Sequence, residues 1–132
     1  MPSKHNPRDC LADILDNIKR IQGYTVGLGR DAFENDGRTR DAVERCLERI
    51  CEAAFRLGDA AAVLMPNQPW HDIRGMGNWF RHAYDRIEFD TVWDTLHRHL
   101  PSLQADAERA LKEVETKLPP KTSEHRDLLK NM

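Results

Sequence analysis

Apolar residues recur at three- and four-residue steps along nearly the whole chain, and no stretch of useful length alternates apolar with polar. The sequence is therefore built for helices rather than sheet. Leu11, Ile14, Leu15, Ile18 and Ile21 fall on one helical face. Asn6 and Pro7 before them suit a helix start, and Asp9 adds negative charge where the peptide dipoles leave a positive end. A longer stripe follows in Val43, Leu47, Ile50, Ala54, Leu57, Ala61 and Leu64. It predicts one continuous helix over residues 39–65, capped by Thr39, with Asp41 in its first turn and Pro66 and Asn67 at its end. Residues 27–37 hold three glycines and several acidic residues around Phe33, and read as a loop with one short turn.

Residues 69–84 form the third expected helix, with two tryptophans and two internal glycines, Gly75 and Gly77. Asp90 is placed to cap a short helix through Val92, Trp93 and Leu96 that closes on His97, Arg98 and His99. Pro101 then opens the last helix, with Leu103, Ala107, Ala110, Leu111 and Val114 on its buried side. Beyond it, Pro119, Pro120 and mixed charges read as a flexible tail over residues 119–132. The expected fold is all-α, an up-down bundle of four to five helices, with residues 1–118 as one domain. A chain of 132 residues has room for one core that buries roughly two-thirds of its unfolded surface.

Charge and composition narrow the function classes. The chain has 20 basic and 22 acidic residues and a net charge of −2, so no global field draws it to nucleic acid, and any RNA or DNA contact must be local. The longest unbroken apolar run, residues 60–65, is far too short to span a bilayer, so no membrane role is expected. An odd count of three cysteines argues against a disulfide framework and for a reducing compartment. With no charged-then-apolar leader at the start, the expected location is cytoplasmic. Cys46 and Cys51 sit beside the apolar stripe and read as buried small side chains. No zinc spacing, phosphate-cradling glycine loop or nucleophile elbow is present, and His97 and His99 face different sides of a helix. No metal or cofactor is therefore expected.

Four of the six histidines lie between positions 71 and 99, which points to the third and fourth helices. Arg74, Asn78 and His82 are four residues apart and share one helical face, in a row about 12 Å long. A guanidinium, an amide and an imidazole in such a row can hold a phosphodiester and move protons at it, because an imidazole titrates near neutral pH. The row also reads as solvated helix surface with a satisfied interface histidine, and residue chemistry alone favours that plainer reading. Gly75 and Gly77 each cost about 1 kcal/mol relative to alanine within a helix. They suggest either a close approach by another helix or ligand, or a kink. Trp70, Trp79 and Trp93 suit core or interface packing better than base stacking.

The run Ile73-Arg-Gly-Met-Gly-Asn-Trp-Phe-Arg-His-Ala-Tyr-Asp85 resembles the signature of the HepT-like family in the HEPN superfamily. Leu11-Ala-Asp-Ile-Leu-Asp16, Arg40-Asp-Ala-Val43, Ile50-Cys-Glu-Ala-Ala54 and Pro69-Trp-His-Asp-Ile73 extend the likeness upstream. Asp90-Thr-Val-Trp93 and Leu100-Pro-Ser-Leu103 extend it downstream, so that it covers roughly residues 9–118.

The resemblance implies a helical bundle that forms a homodimer through the motif helix. It implies a metal-independent ribonuclease toxin cutting mRNA or tRNA. It further implies a partner, an MntA-like minimal nucleotidyltransferase antitoxin that neutralises the toxin by transferring AMP to a tyrosine (AMPylation). By position, Asn78 matches the family's polar residue, His82 its catalytic histidine and Tyr84 the modifiable tyrosine. The family's arginine, immediately before the polar residue, is Gly77 here. The nearest guanidiniums are Arg74, outside the usual spacing to the histidine, and Arg81 beside it. Two further readings therefore stand beside the toxin. One is a catalytically weakened or inactive HEPN protein that serves as a structural or RNA-binding partner of the nucleotidyltransferase. The other is a plain helical dimerisation domain.

Overall fold

The structure is a computed structural model that describes residues 6–82 and 89–117, without the side chains of 77–82 and 117. The expected tail, residues 119–132, lies outside the described residues, as does Tyr84. All of the regular structure among the described residues is helical.

α1 spans Pro7–Thr25 and starts as the sequence suggests: the Asn6 side chain accepts from the Arg8 N–H at 2.9 Å, Pro7 stands in the first turn, and Asp9 supplies the acidic charge. Leu11, Ile14, Leu15, Ile18 and Ile21 are all buried. α2, Arg30–Glu34, is the short turn expected in the glycine-rich stretch, but it has a larger role than a connection. Phe33 is fully buried, with its ring centroid 5.7 Å from Phe89 and 5.8 Å from Trp93, so this turn pins the later helices to the bundle. Arg30 and Arg40 both lie over the Phe89 ring, and Arg30 pairs with Asp90.

α3 spans Gly37–Leu57 and α4 spans Asp59–Leu64, so the single helix expected over 39–65 is broken at Gly58. Gly58 has φ 57° and ψ −135°, a region open to glycine and essentially closed to residues with a Cβ. The apolar stripe runs straight through this corner, which is why periodicity alone does not reveal it. The cap of α3 is Asp36 rather than Thr39. Its carboxylate accepts from the Thr39 N–H at 3.0 Å and from the Thr39 hydroxyl at 2.7 Å, which holds its pKa below the usual aspartate value. α1 and α3 form an antiparallel pair, with Arg56 near the end of α3 bonded to Asp13 early in α1 at 3.0 Å.

α5 spans Trp70–His82. Two loop contacts fix its start. The Trp70 indole N–H donates to the Met65 carbonyl at 2.8 Å, and the Gln68 amide donates to Ser102 (3.1 Å) and Asp106 (2.7 Å). The Gln68 amide first, and second Arg109, which donates to the other Asp106 oxygen at 2.8 Å, depress the Asp106 pKa.

α6, Phe89–Asp94, does not end before Pro101. It continues through one wide π-helical turn, Thr95–His99, into α7, Leu100–Lys117. Pro101 has no N–H to bond four residues back, and its ring would strike the carbonyl there. The chain widens instead, and the Leu100 N–H reaches the Thr95 carbonyl five residues back. Leu103, Ala107 and Ala110 are buried, with Leu111 and Val114 packed against the core. Cys46 and Cys51 are buried as expected, Cys10 is buried too, and burial raises the thiol pKa of Cys10 and Cys46.

Candidate active site

α5 carries every residue of the expected motif that falls in described structure. Its inner face packs Ile73 and Met76 against the core, beside α3. An apolar cavity of about 110 Å³ lies there, lined by Leu47, Ile50, Ile73, Met76, Leu100 and Leu103 among others. Its lining suits packing better than phosphate chemistry.

The outer face is different. His71 and Gly75 are exposed, and a Cβ built on Gly75 would meet nothing within 4 Å. No part of the described chain approaches this glycine, so close packing against another described helix is not the reason for it. Positions 71, 75, 78 and 82 follow the steps four, three and four that mark one helical stripe. Asn78 and His82 therefore share a register with two exposed positions. Their side chains, like that of Arg81, lie outside the described residues. His71 is a second imidazole position in this stripe, ahead of the Arg74–Asn78–His82 row.

Arg74 is part-buried, and its Nη2 donates to the Gly58 carbonyl at 2.7 Å. That carbonyl also accepts from the Ala61 N–H at 3.2 Å. Arg74 Nε is buried with no hydrogen-bond partner in the described structure. The backbone places Arg74 four residues before Asn78, as the spacing requires, while its guanidinium reaches back to the α3–α4 corner.

Of the other aromatic and imidazole candidates, Trp70, Trp93 and His97 are accounted for by packing, and the side chain of Trp79 lies outside the described residues. Trp70 is buried, Trp93 joins the Phe33–Phe89 cluster, and the His97 ring lies against Trp93 at a tilt of 35° with centroids 4.1 Å apart. His97 Nδ1 lies 2.9 Å from the Trp93 carbonyl, and His99 lies 3.6 Å from Asp94. Among the described residues no group of three or more His, Cys, Asp or Glu side chains is arranged to hold a metal ion, and no helix is long and apolar enough to cross a membrane.

These features define a class: a small protein, all-helical among the described residues, whose amide and imidazole positions share the register of two exposed positions on one helix. The family follows from comparison. The profile of the family described as Ribonuclease HepT-like matches residues 14–110, and the chain belongs to that family, within the HEPN superfamily. The chain is 32% identical over 115 residues to the "Putative RNase MJ0127" of Methanocaldococcus jannaschii, covering 87% of this chain and 94% of that protein. It is 31% identical over 109 residues to the "Probable ribonuclease HepT" of Thermococcus cleftensis, covering 83% of this chain and 99% of that protein. No solved structure matches it.

Proposed function

We propose that this protein is a cytoplasmic ribonuclease toxin that cuts RNA without a metal ion, as a homodimer whose sites form where two α5 helices meet. The observation that carries the reading is the stripe on α5. Asn78 and His82 share their register with the exposed His71 and Gly75, inside the segment that matches a family of ribonucleases. In the proposed reaction the ribose 2′-oxygen attacks phosphorus and the bond to the 5′-oxygen breaks. His82 takes the proton from the 2′-hydroxyl or delivers one to the departing 5′-oxygen, and Asn78 orients the phosphate. Arg74 or Arg81 neutralises the charge that develops on the phosphoryl oxygens. The products carry a 2′,3′-cyclic phosphate and a 5′-hydroxyl.

The proposed partner is a minimal nucleotidyltransferase antitoxin that transfers AMP to the Tyr84 hydroxyl, releasing pyrophosphate if ATP is the donor. The added phosphate places negative charge two residues from His82 and repels RNA. Expressing the chain alone and with such an antitoxin tests the pairing. Growth arrest relieved by the antitoxin, with relief lost in Tyr84→Phe, supports it. Relief that persists in Tyr84→Phe removes the modification from the account.

A second reading is a HEPN protein that binds the nucleotidyltransferase or RNA without cleaving. Two observations favour it: Gly77 stands where the resemblance places an arginine, and the Arg74 guanidinium is bonded to Gly58. End-group analysis separates the readings, because only the nuclease generates cyclic phosphate ends.

A further inference from the structure

We infer that Arg74 acts as a latch that positions α5 rather than as a group that touches RNA; this rests on the ribonuclease reading above. A phosphate-binding guanidinium has to keep its donors available to solvent or substrate. Arg74 spends one on a carbonyl across the α3–α4 corner, 16 residues back, and its Nε is closed off from solvent. The acceptor is not incidental. Gly58 has the glycine-only conformation that turns the chain between α3 and α4, and its carbonyl both follows the end of α3 and accepts the opening bond of α4 from the Ala61 N–H, so it sits at the corner that joins the two helices. Moving Arg74 to a phosphate would forfeit this charge-assisted bond and loosen the corner from α5.

The latch sits one turn before Asn78 and two turns before His82, on the same helix. It therefore fixes the rotation and axial position of the stripe on which the proposed chemistry depends. Positioning of this kind has large kinetic leverage, since a shift of about 1 Å in reacting groups can cost on the order of 10²-fold in rate. Arg81, seven residues further along and at nearly the same angular register, is left as this chain's candidate for contacting phosphate.

Arg74→Met keeps the aliphatic stem and removes every donor, while Arg74→Lys keeps one donor and the charge. On the full chain, three readouts are taken. The first is kcat and KM for RNA cleavage. The second is the salt dependence of RNA binding. The third is amide exchange at Ala61 and in the first turn of α5. For a latch, Arg74→Met lowers kcat by about 10²-fold with KM within about twofold. It leaves the slope of log affinity against log salt unchanged, and it speeds exchange at both places, with Arg74→Lys restoring protection. A slope that falls by about 0.7, the value for one lost contact to single-stranded phosphate, overturns the inference, as does unchanged exchange. Should the parent neither bind nor cleave RNA, the ribonuclease reading fails, and amide exchange alone still decides whether the latch exists.

Discussion

Replacing Gly58 by alanine probes the corner from which α5 is held. Gly58 has φ 57° and ψ −135°, and a Cβ there meets no neighbouring atom within 4 Å. The penalty is thus conformational and not steric. Holding a residue with a Cβ in this region costs of order 1–3 kcal/mol. If the backbone escapes instead, the Gly58 carbonyl turns away from Arg74 and Ala61, and the charged bond alone is worth about 1.5–3 kcal/mol. Both routes centre near 2 kcal/mol. A chain of 132 residues unfolds with an entropy of roughly 280 cal/mol/K, so a loss of that size lowers Tm by about 7 °C. Thermal melts followed by far-ultraviolet circular dichroism measure it. Gly58→Asn is the companion variant, because asparagine tolerates the left-handed helical region but not a ψ of −135°, and it is expected to melt with the alanine variant. A Tm within about 1 °C of the parent for both variants would refute the reasoning, because it would mean the corner does not need glycine.

Gly75→Ala is expected to act in the opposite direction: with open space around it on a helix, alanine raises stability by up to about 1 kcal/mol in thermal melts of the dilute protein. A loss of stability or of self-association there would reveal a second chain packed against this glycine. Asp36→Ala should lower the urea midpoint most above the ordinary aspartate pKa of 3.8. The Asp36 carboxylate titrates below that value when folded, so its contribution is fully present above it and is lost as pH falls through the lower folded value. The gap between parent and variant should narrow on acidification, and a gap that widens contradicts the assignment. Intact-mass analysis after coexpression with the antitoxin should show one adenylyl group per modified chain, absent from Tyr84→Phe.

Much of the bundle was legible in the sequence because burial enforces periodicity. Every stripe residue expected on α1 is buried, and Val43, Leu47, Ile50, Ala54, Leu57 and Ala61 are buried as well. What periodicity could not show is where the backbone departs from a regular helix while its apolar face continues. Gly58 interrupts the second stripe without shifting it, and Pro101, in the first turn of α7, is preceded by a π-helical turn instead of a break between helices. Phe33 was hidden for another reason: a single aromatic among glycines and acids has no period, yet it is the ring on which Phe89 and Trp93 rest. At the candidate site, helical spacing gave the register of Arg74, Asn78 and His82. It could not give the destination of a long flexible side chain, and the Arg74 guanidinium reaches a backbone carbonyl that no local pattern marks.

The most direct test of the ribonuclease account is incubation of the purified chain with tRNA and total RNA in the presence of a chelator, beside His82→Ala, with both proteins free of AMP and of equal oligomeric state. The account predicts cleavage to 2′,3′-cyclic phosphate ends by the parent and none by the variant. Equal silence from both, or equal cleavage by both, would contradict it.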